Sequence, residues 1–317
     1  MDLKKGSYPQ CSPSPLRITT HTIKSGINAL ENPDDSFKID LIKFAQFLEV
    51  DDEVKYIEYK NQDIVHVKGI NPKNPSKKAS KKGKFYNCLT IITQPENGFY
   101  NNIKLFRNGS ISGTGIKKIE NGHISVEIIL NKIKSFTHQI VSIDSNPLLK
   151  NSEIKVNNYS IALINSDYEI SFEVKRSMLH SLLVNKYKIF SSYEPCIYPG
   201  VNSKYYWNKE YADKPYPGRC YCTLPCKGNG TGEGNGECKK VTIAVFQSGS
   251  LIITGARSLE QIETAYHFIN NIFEMHHNDL RQEKASFIQQ SEDKLDSKTK
   301  NVIYIKRDKI INSPWVS

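Results

Sequence analysis

The sequence predicts an α+β fold of two pseudo-symmetric halves, each with a hairpin feeding a helix that packs on a sheet. Three observations predict it. A long segment recurs within the chain, each copy orders strand-type and helix-type runs the same way, and the apolar and charged fractions, 38% and 24%, are those of an ordinary globular protein. The segment IKLFRNGSISGTGIKKIENGHISVEIILNKI, starting at Ile103, returns as IAVFQSGSLIITGARSLEQIETAYHFINNIF, starting at Ile243, so that Phe106 maps onto Phe246, 140 positions further on.

Taken in order, residues 1–15 are polar and proline-rich and read as a flexible tail. The first repeat spans 16–140. It opens with a strand (LRITTHTI from Leu16) and an amphipathic helix (IDLIKFAQFLEV from Ile39), and then runs into strands interrupted by a lysine-rich insertion at 69–84. Its hairpin turns at Asn-Gly, and the helix that follows presents Ile124, Ile128 and Ile133 as an apolar stripe. A linker at 141–154 leads to the second repeat, 155–276, with a strand (YSIALINS from Tyr159), a helix (VKRSMLHSLLVNKY from Val174) and a Cys/Gly-rich insertion at 208–239. Here the hairpin turns at Ser-Gly, and Ile262, Tyr266, Ile269 and Phe273 form the helical stripe. Residues 277–317 read as a polar tail.

The formal charge of +10 and pI near 9.0 favour a polyanionic partner, because clustered Lys and Arg release counterions from nucleic acid. The start MDLKKGSYPQCSPSP lacks the apolar region of a secretory leader, and no stretch approaches the ~20 apolar residues of a membrane helix, so a soluble, non-secreted protein with no membrane partner is expected. Seven cysteines, four of them crowded together, suit thiols or a metal in a reducing compartment better than a disulfide framework. Paired carboxylates, a metal triad and a nucleophile motif are all missing from the sequence outside the repeats, so a non-enzymatic protein is expected.

The stretch FSSYEPCIYPG, from Phe190 to Gly200, closely resembles the second-repeat stirrup of the TATA-box-binding protein family. FYNCLTIITQP from Phe85 is similar to the aromatic-led strand of the family's first repeat, and VFQSGSLIITGAR from Val245 to its Phe-x-Ser-Gly hairpin followed by Thr-Gly-Ala. The resemblance covers roughly residues 16–275 and is stronger in the second repeat. It implies a curved antiparallel sheet, a saddle with helices on the convex face and DNA under the concave one. Wedging aromatic side chains between base steps kinks a duplex, trading a few kcal/mol of unstacking for wrapped contact area. By resemblance the intercalating wedges are Phe85 and Phe106 in the first half and Tyr198 and Phe246 in the second. An aromatic residue in a strand is usually core, but Phe106 and Phe246 both sit beside a turn at the same place in each copy.

Further DNA-binding positions are carried over from the same resemblance. Thr114 and Thr254, each before a Gly, match family threonines that face the minor groove; Lys117, Lys204 and Arg257 match phosphate-contacting residues, with ordinary solvated charges as the alternative. Where the family pairs an Asn on each first strand, this chain aligns Arg17 and, in the second repeat, Ser160; Lys104 stands where an apolar underside residue is usual. Arg is attracted to narrow A-tract grooves, so A·T-rich DNA is the expected site rather than a strict TATA element. A partner similar to transcription factor IIB is implied at the stirrup, on Glu194, Cys196 and Ile197, together with RNA polymerase machinery; Cys196 replaces a family acidic residue.

Cys220, Cys222, Cys226 and Cys238 form C-x-C-x3-C-x11-C around a glycine-rich loop, which reads as a structural Zn2+ site or as free thiols on a mobile loop. The lysine-rich insertion grips flanking phosphates, serves as a nuclear-import signal, or only solubilises. A promoter-binding general transcription factor is the leading reading; the alternative is an architectural or single-strand-binding protein using the same sheet. The abundance of Lys, Asn and Ile fits an A·T-rich genome, such as that of a protist or large DNA virus, and hence a nucleus, a cytoplasmic virus factory or a virion.

Overall fold

A computed structural model describes residues 7–29, 37–60, 64–75, 87–142, 154–210, 214–223, 226–233 and 235–282, all within one unit. Its first half contains β1 (Arg17–Ala29), β2 (Lys38–Ile39), α1 (Leu41–Phe47), β3 (Val54–Lys60), β4 (Val65–Gly69), β5 (Cys88–Glu96), β6 (Phe99–Phe106), β7 (Ser110–Ile116), α2 (Ile119–Ser135), α3 (Thr137–Ile140) and β8 (Val141–Ser142). The second half contains β9 (Ile154–Glu169), β10 (Glu173–Val174), α4 (Arg176–Asn185), β11 (Phe190–Glu194), β12 (Tyr198–Trp207), β13 (Lys239–Val245), β14 (Ser250–Ala256), α5 (Leu259–Met275), α6 (His277–Leu280) and β15 (Arg281–Gln282).

Eleven strands join in one antiparallel sheet, ordered β11-β12-β13-β14-β9-β1-β7-β6-β5-β3-β4. Read outward from the central β9/β1 pair, the two sides are the same list, β14-β13-β12-β11 against β7-β6-β5-β3, with β4 added to the first-half edge. The internal repeat fixes the register as well: Thr242 pairs with Thr254 as Asn102 pairs with Thr114, 140 positions earlier. The expected α+β fold of two pseudo-symmetric halves is therefore present. A small β2/β8 sheet closes the first half, and β10/β15 closes the second in the same way.

Strand alternation divides the sheet into a covered and an open face. In the second half, Val241, Ile243, Val245, Leu251 and Ile253 point under α4 and α5, where they meet the buried Leu179, Ile262, Ile269 and Phe273. In the first half, Leu89, Ile91, Ile103, Leu105 and Ile111 meet Phe44 of α1 and Ile129 and Ile133 of α2. Asp40 caps α1 by accepting from the amides of Ile42 and Lys43, and Ser258 caps α5 by accepting from that of Gln261.

Several boundaries differ from the sequence reading. Residues 7–15 are docked, because Tyr8 and Cys11 are buried in the second-half core and the Gln10 and Cys11 amides donate to Glu274. The second repeat continues through α6 and β15 to Gln282, since Lys175 donates from its amide to the carbonyl of Leu280. Ile124 is exposed; α2 instead buries Val126 and Ile129 beside Ile128 and Ile133, so the face turned to the sheet is rotated from the expected stripe. The remainder of the lysine-rich insertion, the linker and the C-terminal tail, at 76–84, 143–153 and 283–317, lies outside the described residues.

Both hairpin turns require glycine. Gly109 and Gly249 have φ of +77° and +88°, and a Cβ would stand 2.1 Å from the Ile27 carbonyl oxygen and 2.5 Å from that of Phe172. Gly249→Ala is expected to cost about 1–3 kcal/mol in urea unfolding, through left-handed backbone strain and displacement of that carbonyl. At Gly98, whose φ is +79° but whose Cβ direction is open, the smaller end of that range is expected.

Candidate nucleic-acid interface

On the open face, five strands of the second half and centre contribute one row of polar side chains. Lys204 Nζ donates to Thr242 Oγ1 at 2.9 Å, the Thr254 hydroxyl donates to Asn165 Oδ1, and Asn165 Nδ2 donates to Thr20 Oγ1 at 3.0 Å. Thr242 and Asn165 flank Thr254 in register on β13 and β9. Short side chains allow a ligand to approach the backbone closely, while their hydroxyl and amide groups supply donors and acceptors. The first half repeats the register with Ile92, Asn102 and Thr114 on β5, β6 and β7, where Ile92 is buried and stands in place of the polar Lys204. Asn102 and Asn202 are half-buried on this face, and each carries an Oδ1 with no hydrogen-bond partner among the described residues.

Aromatic rings stand at the ends of these strands. Phe246 follows β13 at the turn, where its carbonyl accepts from the Gly249 amide; Phe106 occupies the matching place at the end of β6, its carbonyl accepting from Gly109. Tyr198 begins β12, and its ring lies 5.8 Å from that of Phe246 at 60°. The absence of a side chain at Gly200 seats this pair, since a Cβ there would stand 2.9 Å from the Tyr198 ring and 3.1 Å from the Phe246 ring. Neither Phe106 nor Phe246 belongs to a buried core cluster. Phe85 lies outside the described residues.

Charge concentrates at the end of the second half opposite these rings. Burial, followed by the nearby Arg257, Lys240 and Lys24, pushes the Lys239 ammonium below its ordinary pKa; burial and then Lys240 do the same for Lys204. Cations that depress one another in this way gain from a polyanion that neutralises them. Burial and then Lys117 likewise lower Lys73. Lys104 extends from the open face of β6, pairing in register with Ser112. Arg17 is differently placed: its Nε and guanidinium nitrogen each donate at 2.8 Å to the two carboxylate oxygens of Asp167, so its charge is already matched. Ser160 is exposed, opposite Lys24.

The sequence reading did not include Asn165, Lys239 or Lys240. Asn165 holds the centre of the polar row, and only the Thr254–Asn165 register reveals it. Lys239 and Lys240 were legible as a basic pair next to Cys238.

The turn between β11 and β12 carries the predicted partner residues. Glu194 and Cys196 are exposed, Ile197 is 81% exposed and Phe190 62%, while the Ile197 amide donates to the Glu194 carbonyl. Arg176 braces this turn through the Pro199 carbonyl and through Gln247.

Beyond the sheet, the Sγ atoms of Cys220, Cys222, Cys226 and Cys238 lie within 4.8 Å of one another in the insertion between β12 and β13. Burial disfavours ionisation of Cys226, but donation from the Gly230 amide, with further help from Cys238, Gly228 and Cys220, outweighs it and brings its pKa down to about 7.

Residues 170–276 match the family model described as transcription factor TFIID (or TATA-binding protein, TBP). A relative named TATA-box-binding protein-like, from Acanthamoeba polyphaga mimivirus, is 31% identical over a 261-residue alignment that covers 75% of this chain and 64% of that protein. The chain thus spans a little less than two thirds of the relative it matches. Among solved structures, the Methanococcus jannaschii TBP aligns with a TM-score of 0.44 at 16% identity, covering 83% of this chain and 99% of that one.

Proposed function

We propose that the chain is a divergent TATA-box-binding-protein-like protein, as its likeness to the family model and to the mimivirus relative supports, and that its open sheet face binds A·T-rich duplex DNA in the minor groove and bends it with aromatic wedges. Such a bent complex serves as a platform for transcription initiation and involves no catalysis. The observation that carries the reading is the polar row from Lys204 to Thr20, with Phe246 and Phe106 at matched turns on either side of it. A minor groove at A·T pairs presents only acceptors, which the Asn165 amide and the Thr242 and Thr20 hydroxyls can meet as donors. The two turn phenylalanines lie outside the cores and are free to enter base steps.

The register supplies a counterpart for Tyr198. Val201 pairs with Val245, setting Gly200 beside Phe246, while Cys88 pairs with Phe106. Two positions before Gly200 is Tyr198, and two before Cys88 is Tyr86, so Tyr86 joins Phe85 as a candidate for the fourth wedge.

Phosphate contacts fall to Arg257 and Lys240, with Lys117 on the other half, whereas Arg17 contributes through its pair with Asp167. Exposed Ile197 and Phe190, flanked by Glu194, offer a general-factor partner an apolar anchor with an acidic rim. A transcription factor IIB-like protein fits this surface, and the site of action is a nucleus or a virus factory where promoters are read.

Competition binding tests the reading. An A·T-rich duplex is expected to outcompete both its own single strands and a G·C duplex, and a small minor-groove-binding drug to displace the protein; preference for single strands would sink the proposal. Lys240→Ala and Arg257→Ala are each expected to reduce the log K against log salt slope by about 1, with little change in sequence preference.

A further inference from the structure

The insertion at 208–238 has almost no apolar core of its own: among its described residues, the buried hydrophobic side chains are Cys226 and Cys238. What gathers it is the thiol cluster. Cys220 Sγ lies 3.8 Å from Cys226 Sγ and 3.8 Å from Cys238 Sγ. A disulfide requires about 2.05 Å, and none of the four cysteines forms one. A tetrahedron of thiolates around Zn2+, with Zn–S near 2.3 Å, has sulfur–sulfur edges of about 3.8 Å. The two edges from Cys220 match that geometry, and all four sulfurs lie within 4.8 Å of one another.

The surrounding backbone supports this arrangement. Gly228, Gly230, Gly232 and Gly236 take positive φ, which lets the chain wrap the cluster tightly. The Gly232 amide donates to the Cys238 carbonyl and the Lys240 amide to the Gly230 carbonyl, stitching the loop to the start of β13, and the Tyr206 hydroxyl donates to the Gly228 carbonyl. Asn208 Nδ2 donates to Cys222 Sγ at 3.6 Å, the kind of second contact that orients a thiolate ligand. Four sulfur ligands leave no open position, which marks a structural rather than a catalytic site.

The same loop abuts the basic edge. A Cβ on Gly232 would stand 2.9 Å from the Arg257 guanidinium, and Lys239 and Lys240 directly follow Cys238. We propose that Cys220, Cys222, Cys226 and Cys238 hold one structural Zn2+, and that this ion orders the insertion so that Lys239, Lys240 and Arg257 are fixed at the end of the open face.

The test uses the full chain purified without a metal-affinity step from zinc-supplemented growth. One zinc per chain is expected by elemental analysis, with cobalt replacement giving the visible bands of a tetrahedral thiolate site. Cys226→Ser and Cys238→Ser should lose the metal, whereas Cys196→Ser, at an exposed thiol outside the cluster, should keep it. Chelation is expected to open the insertion to protease and to lower the salt slope of duplex binding by about 1–2, leaving the circular dichroism of the sheet in place. Clearly substoichiometric zinc, or full zinc retention in the Cys226→Ser chain, overturns the site. Stoichiometric zinc with an unchanged salt slope after removal overturns its link to the basic edge. Metal content is read without DNA, so the site stands or falls separately from the DNA-binding proposal.

Discussion

Phe246→Ala is expected to weaken binding to an A·T-rich duplex by about 5- to 150-fold at fixed salt, corresponding to the ~1–3 kcal/mol that one aromatic–base stack supplies. The loss should sit near the upper end, because two rings depend on this position. Phe246 packs at 5.8 Å against Tyr198, and both are seated over Gly200, so removing one leaves the other without support. Phe106→Ala, at the matching turn of the first half, should fall lower in the range. Neither substitution touches a buried core cluster, so the unfolding free energy should move by less than about 1 kcal/mol. Equilibrium titration and urea unfolding of the same preparations separate a lost wedge from a damaged fold. Tight binding by the Phe246→Ala protein would remove this ring from the interface.

Phe273→Ala has the largest expected effect on the fold, about 3–5 kcal/mol of destabilisation. Its side chain is fully buried in α5 and meets Phe172 edge-on at 5.9 Å and 87°. Truncation leaves a cavity lined by residues from α5 and from the loop after β9, which the sheet cannot collapse to fill. Against a typical total of about 5–15 kcal/mol, this removes about a fifth of the stability or more. Ile133→Ala, buried at the equivalent position of α2, is expected to cost about 2–5 kcal/mol in the first half. Urea midpoints measured at unchanged slope give both values; a change near zero for Phe273→Ala would mean the second core is not packed as described.

Much of the architecture was legible because the repeat carries it. The Asn-Gly and Ser-Gly turns announced both hairpins, and Ile262, Ile269 and Phe273 recur at helical spacing and are all buried. Other features depend on contacts between distant residues and leave no local signal. Arg17 reads as a free cation until Asp167, 150 positions away, is brought beside it. Asn165 escaped because counting along the first strand assumes regular pairing, whereas β1 and β9 shift register at three irregularities between Ile18 and Gly26. The polar, proline-rich start concealed the docking of Tyr8 and Cys11, since two anchoring residues do not make a periodic pattern. Ile124 faces solvent because α2 turns Val126 and Ile129 to the sheet, a rotation that the apolar residues on nearly every side of that helix leave undetermined. The cysteine cluster was visible from composition, but its spacing matches no common zinc motif, and only the folded chain brings the four sulfurs within 4.8 Å of one another.

The central claim, that paired turn phenylalanines bend the duplex held on the open face, is tested most directly by fluorescence energy transfer between the two ends of a short A·T-rich duplex. The native protein is expected to bring the ends together, and the double substitution Phe106→Ala, Phe246→Ala to leave the bound duplex nearly straight. Native protein that binds without shortening the end-to-end distance, or a double variant that bends the duplex as fully as the native chain, would contradict the account.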